Sequence, residues 1–194
     1  MTADIAHGGP SRPTDLERDH WWVIMNLARL ALTAATLGLA VASAQAQTPS
    51  PTPLGQFNDW AAYSAQNSGS KVCYILSQPK QSAPEGVNRD PIYFFVTSRP
   101  AQDVSNEVSI IMGYPLAPES KPSATIDGTN FELFAKNDSA WVANAAEEQR
   151  LVAAMRAGVD MTIKGTSSRG TNTTDTYSLS GVTAALGRIA QECN

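Results

Sequence analysis

Few residues in this 194-residue chain are of a type and spacing that could do chemistry. Cys73 and Cys193 are either partners in one disulfide or two separate buried thiols, because two cysteines alone do not complete a metal site. Gly165-Thr166-Ser167-Ser168-Arg169-Gly170-Thr171 is rich in glycine and hydroxyls, as anion-cradling loops are. Arg169 would supply a planar fork for a small anion, with Asp175 close behind in the sequence. No Gly-Lys-Ser/Thr follows and no helix signal begins there, as a phosphate loop requires. The run therefore reads more simply as a turn between two strands, with Arg169 paired to Asp175 or to a backbone carbonyl. Arg169 and Asp175 are the binding candidates; the sequence offers no catalytic residue and no metal ligand set.

Acid–base work would need a carboxylate pair. A glycan hydrolase places two carboxyl groups about 5–10 Å apart across a cleft, and Asp90, Glu107 and Asp175 are the candidates for that alternative. Glu147 and Glu148 are adjacent on a helical run and point about 100° apart. They fit a solvated helix start, where carboxylates favour the dipole. Trp60, Tyr63, Tyr93, Trp141 and Tyr177 could line a sugar surface, but in a domain of this size they read as core anchors.

The elements that must position these residues begin with an export segment. Residues 25–46, MNLARLALTAATLGLAVASAQA, carry Arg29, then an apolar run of roughly a dozen residues, then small residues with cleavage after Ala44 or Ala46. The run is too short to span a bilayer, which takes about 20 residues, so no stable membrane span is expected after cleavage. Residues 1–24 read as an upstream extension before a start at Met25. His7 and His20 precede the cleavage site, so the mature chain would hold no histidine, which excludes histidine-based triads, His-ligated zinc and His-ligated haem. From Gln47 onward there are 11 Lys and Arg against 14 Asp and Glu, a net charge of −3 with no basic block, which argues against nucleic acid as a partner. No cofactor is implied. In an oxidising compartment the two cysteines are expected to pair, closing a loop of about 120 residues worth roughly 4–5 kcal/mol in the chain-entropy model.

Residues 47–56 read as a Pro/Thr/Ser linker, mobile or extended, and residues 57–194 as one domain. Strands are expected at Trp60–Ser64, Val72–Ser77, Ile92–Thr97, Val108–Gly113, Ala124–Ile126, Asn130–Ala135, Asp160–Lys164 and Thr174–Leu179. Asp127-Gly128 marks a tight hairpin. Asn144 caps a helix through Ala157 that Gly158 stops, and Val182–Cys193 is a second, terminal helix. The fold class is mainly β: a single β-sandwich or barrel-like domain with two helices, one between strands in the second half and one at the C-terminus.

Several local patterns together resemble the invasion-associated locus B family: Asp59-Trp60, Val72-Cys73-Tyr74, Arg89-Asp90-Pro91-Ile92-Tyr93-Phe94-Phe95-Val96, Asn106-Glu107-Val108-Ser109 and Gly113-Tyr114-Pro115. So do Trp141-Val142, Lys164-Gly165-Thr166-Ser167, Arg169-Gly170-Thr171 and Tyr177-Ser178-Leu179. The likeness runs from Phe57 to Cys193. It implies an exported envelope protein of alphaproteobacteria, some of whose relatives are linked to host-cell invasion, with no catalytic residues to carry over. Many members carry a further cysteine just after the first tryptophan. Tyr63-Ser64-Ala65 stands there instead, leaving Cys73–Cys193 as the one available intrachain bridge. The expected function is non-catalytic binding in the periplasm or envelope, with an envelope or host-surface partner whose identity and stoichiometry the residues leave open. A chaperone-like protein that pairs an exposed strand edge with client chains is a further alternative.

Overall fold

Why each segment adopts its form is mostly a matter of period. The structure, a computed structural model, describes residues 50–193. The export segment 25–46 with Ala44 and Ala46, and the extension 1–24, lie outside the described residues. In chain order the elements are β1 (Thr52–Phe57), β2 (Trp60–Asn67), β3 (Ser70–Ser77), β4 (Gln81–Ala83), β5 (Tyr93–Arg99), β6 (Val104–Ile111), β7 (Ser123–Ile126), β8 (Thr129–Lys136) and β9 (Ser139–Val142), then α1 (Ala145–Ala157), β10 (Asp160–Thr166), β11 (Asn172–Ser178) and α2 (Val182–Glu192).

The strands form one antiparallel sheet in the order β1-β2-β3-β5-β6-β9-β8-β7-β10-β11-β4. It is open at β1 and β4, so the barrel alternative gives way to a folded sheet. The fold line is β8, which pairs with β7 over Thr129–Glu132 and with β9 over Leu133–Lys136. The two halves meet through Phe94 and Tyr177, whose ring centroids are 5.7 Å apart. Alternation decides what faces inward. Cys73 and Ile75 on β3, Phe94 and Val96 on β5, and Val108 and Ile110 on β6 are all fully buried. Asp127 and Gly128 both take positive φ, 48° and 79°, the left-handed pair that a two-residue hairpin turn demands.

Both helices form as expected. Asn144 accepts a hydrogen bond from the Glu147 N–H at 3.0 Å, so α1 starts where its cap predicts. Val182, Ala185, Leu186 and Ile189 of α2 are buried, an i, i+3, i+4, i+7 stripe. Cys193, just past α2, is bonded to Cys73 and ties that helix to the inner face of β3.

Three expectations are corrected. Residues 52–56 are extended but not free linker: with Phe57 they form β1, which pairs with β2 from Thr52↔Ser64 to Phe57↔Trp60. Pro53 is tolerated because β1 is an edge strand whose outward N–H needs no partner, and Leu54 is absorbed by a register shift between Pro53 and Gly55. Secondly, β4 and β9 went unread: at three and four residues they are too short to show a period, and they exist through their partners. Thirdly, only Trp60 and Tyr177 of the five aromatics are core. Tyr63, Tyr93 and Trp141 are half-buried on the opposite face of their strands, where Tyr63 stacks on Tyr74 at 5.4 Å. The sheet edges give little support to strand capture. β1 is interrupted by Pro53 and its register shift, and three-residue β4 runs straight into Pro84; both are edge-blunting devices.

Candidate functional site

The site is built on β11, where period-2 alternation turns Thr173, Asp175 and Tyr177 inward. Asp175 is therefore a buried carboxylate, its side chain 1% exposed. A charge so placed needs a partner, and it comes from 86 residues earlier in the chain. Arg89, in the loop between β4 and β5, donates from Nη1 to Oδ1 at 2.8 Å and from Nη2 to Oδ2 at 2.7 Å. The same guanidinium donates from Nη2 and Nε to the Met112 carbonyl at 2.7 and 3.2 Å. Arg89 is itself only 7% exposed. This bidentate geometry is the strong form of an arginine–carboxylate contact.

The next residues complete the floor. The Arg89 Cζ lies 4.9 Å from the centre of the Tyr114 ring, a cation–π contact. The Tyr114 hydroxyl and Thr173 Oγ1 share a hydrogen bond of 2.6 Å. Burial pushes the Tyr114 hydroxyl above the ordinary tyrosine range, against the lowering pull of that bond and of the Arg89 charge. Burial raises Tyr177 as well, with the Asp175 charge adding to it. Among the described residues its enclosed hydroxyl finds no hydrogen-bond partner. Gly113 makes the turn possible: φ is +73° and a Cβ would collide with the Asp90 carbonyl. Gly165 on β10 leaves room for Tyr114, whose hydroxyl would be 2.8 Å from a Cβ there.

Above this floor lies a cleft of about 310 Å³. Its walls are the segments 87–90, 113–115 and 167–169, with Thr171 and Thr173. The loop 167–171 is held by its own backbone. The Ser167 N–H donates to Thr171 O at 2.9 Å, Gly170 N–H to Ser167 O at 2.8 Å, Ser168 N–H to Pro115 O at 2.8 Å and Thr171 N–H to Ser167 Oγ at 3.1 Å. Four of its five N–H groups are thus spent inside the protein, so this loop is no phosphate cradle, which needs free N–H groups. Arg169 stands exposed at its tip.

The two binding candidates therefore separate. Arg169 lines the cleft, while Asp175 lies beneath it and is held by Arg89, so the expected Arg169–Asp175 pairing does not form. The reason is the alternation of β11, which buries Asp175 while the turn lifts Arg169 into solvent. The three carboxylates of the hydrolase alternative have different surroundings. Asp90 lines the cleft, Asp175 is locked, and Glu107 is 2.7 Å from Arg99 on the β5–β6 pair. Glu85 and Asp90 do share a shallower depression beside the segment 87–90, and both are exposed. Glu147 is engaged by Arg150 at 2.8 Å, and Glu148 accepts the Val108 N–H at 3.2 Å. Among the described residues no three His, Cys, Asp or Glu side chains gather to hold a metal. Sequence reasoning missed Arg89 and Tyr114 as site residues. The signal available was Asp175 sharing a strand face with Tyr177, which requires a cation elsewhere in the chain.

Fold and site together define a mainly β protein with an open, once-folded sheet and a small polar cleft over a buried ion pair. Residues 60–190 match the family model described as "Invasion associated locus B (IalB) protein", and the chain belongs to that family. Among solved structures it is similar to invasion associated protein B from Bartonella henselae, with a TM-score of 0.53 and 15% identity. That alignment covers 73% of this chain and 97% of the other, and it bears on the fold. No curated protein matches the chain significantly. Among the described residues no helix is long and apolar enough to cross a membrane.

Proposed function

We propose that this is an exported envelope protein that binds a partner without turning it over, and that the cleft above Arg89 and Asp175 is where it binds. One observation carries the reading. The carboxylate buried beneath the cleft is held by both arms of one guanidinium, so it is structural. Among the described residues that leaves Asp90 as the one carboxylate lining this cleft, with Glu85 reaching only the separate, exposed depression beside it, and general acid–base hydrolysis of a glycan needs two that face each other across one cleft. Export is favoured by the sequence of residues 25–46 and by the disulfide, a bond that persists in oxidising compartments. The family's link with host-cell invasion makes an envelope or host-surface component the natural partner.

Two measurements test this. Incubating the purified protein with envelope glycans should release no new reducing ends; release that is lost in Asp90→Asn would refute the non-catalytic reading. The intact mass of protein from a periplasmic fraction should begin at Gln45 or Gln47, with both cysteines alkylated only after reduction. An unprocessed chain with free thiols would refute export.

A further inference from the structure

We infer that the cleft takes a small zwitterion: an α-amino acid or short peptide presenting a free amino group and a free carboxylate. The inference rests on the cleft being the binding site and names its ligand class. Arg89 and Asp175 neutralise one another in the floor. Two charged side chains remain at the cleft, Asp90 and Arg169. Both are exposed, and among the described residues neither side chain has an ion-pair or hydrogen-bond partner. The loops that carry them are pinned side by side. The Asp90 N–H donates to Gly113 O at 2.9 Å and the Ser168 N–H to Pro115 O at 2.8 Å. These anchors lie two residues apart on one segment, about 7 Å along the chain.

A cleft with one anion and one cation on neighbouring loops is neutral overall. A simple anion attracted by Arg169 is repelled by Asp90, and a simple cation meets the reverse. A ligand carrying both charges satisfies both side chains. Phosphate is disfavoured further because the loop's N–H groups are already engaged. The volume of about 310 Å³ is at the small end of ligand pockets, about 300–1,000 Å³, which suits one or two residues. Further hydrogen bonds are also on offer. Ser168 and Thr171 line the cleft, and the bonds to Asp175 and Met112 use four of the five N–H groups of Arg89.

Calorimetric titration of the purified protein tests this with three probes: alanyl-alanine, its N-acetyl form and its C-terminal amide. Alanyl-alanine should bind, and each blocked form should bind about 2- to 5-fold more weakly, the worth of one solvent-exposed ion pair. Arg169→Gln should weaken alanyl-alanine by that factor and leave the amide unchanged. Asp90→Asn should do the same with the N-acetyl form unchanged. Circular dichroism and melting of both variants, unchanged from the parent, separate binding from folding. Equal binding of the N-acetyl form would make this an anion site, and absence of heat with all three probes would mean that no such ligand fits; either result overturns the proposal. Neither touches the non-catalytic reading, which stands or falls on reducing-end release.

Discussion

Replacing Arg89 by Met removes a guanidinium that is 7% exposed and leaves the Asp175 carboxylate, 1% exposed, without its counter-charge. Breaking one side of a buried pair destabilises by about 3–5 kcal/mol, because the remaining ion stays buried and uncompensated. The Met112 carbonyl also loses both of its donors from Arg89. A single domain has about 5–15 kcal/mol in total, so Arg89→Met should remove about a fifth or more of the stability. At about 2–4 °C per kcal/mol for a domain this size, the melting temperature should fall by about 6–20 °C. The double variant Arg89→Met/Asp175→Leu removes both charges and should recover most of that loss, as apolar replacement of whole buried pairs does. It should remain about 1–3 kcal/mol below the parent, since the Met112 carbonyl is still unsatisfied. Urea unfolding of the parent, Arg89→Met, Asp175→Leu and the double variant yields the coupling energy directly. A loss under 1 kcal/mol in Arg89→Met, or a double variant as unstable as the sum of the singles, would refute the reading of this pair as the keystone of the floor.

Three more outcomes follow from the same structure. Reducing the Cys73–Cys193 bond, which spans 120 residues, should lower stability by about 4–5 kcal/mol in the chain-entropy model and the melting temperature by about 8–20 °C, read by calorimetry with and without reductant. Gly113→Ala places a Cβ against the Asp90 carbonyl at a positive φ, so it should destabilise the protein by about 1–3 kcal/mol and weaken any ligand of the cleft more than a surface substitution does. Burial raises the Glu148 pKa, with the Val108 N–H opposing and the Glu107 charge adding. A raised folded pKa means that the charged form is disfavoured in the folded state, so stability drops as pH climbs through the glutamate range. Glu148→Gln should therefore match the parent in acid and equal or exceed it at neutral pH, as measured by urea midpoints across pH 3–7.

Much of the architecture follows from local physics. The Asp127-Gly128 hairpin, the Asn144 cap and the buried stripe of α2 rest on contacts within a few residues, so type and spacing are enough to place them. The alternation in β11 even marks Asp175 as inward-facing. What alternation cannot name is the partner: Arg89 lies 86 residues away in a loop without period, and it is brought there by the order of strands. β9 is a strand because β6 and β8 flank it, and β1 because β2 offers it a free edge. The cleft gathers three loops that are far apart in sequence and joined by backbone hydrogen bonds. Side-chain chemistry and short-range periodicity are properties of the sequence itself. Which charges cancel in the floor and which remain exposed above it depends on long-range pairing, and only the folded sheet decides that.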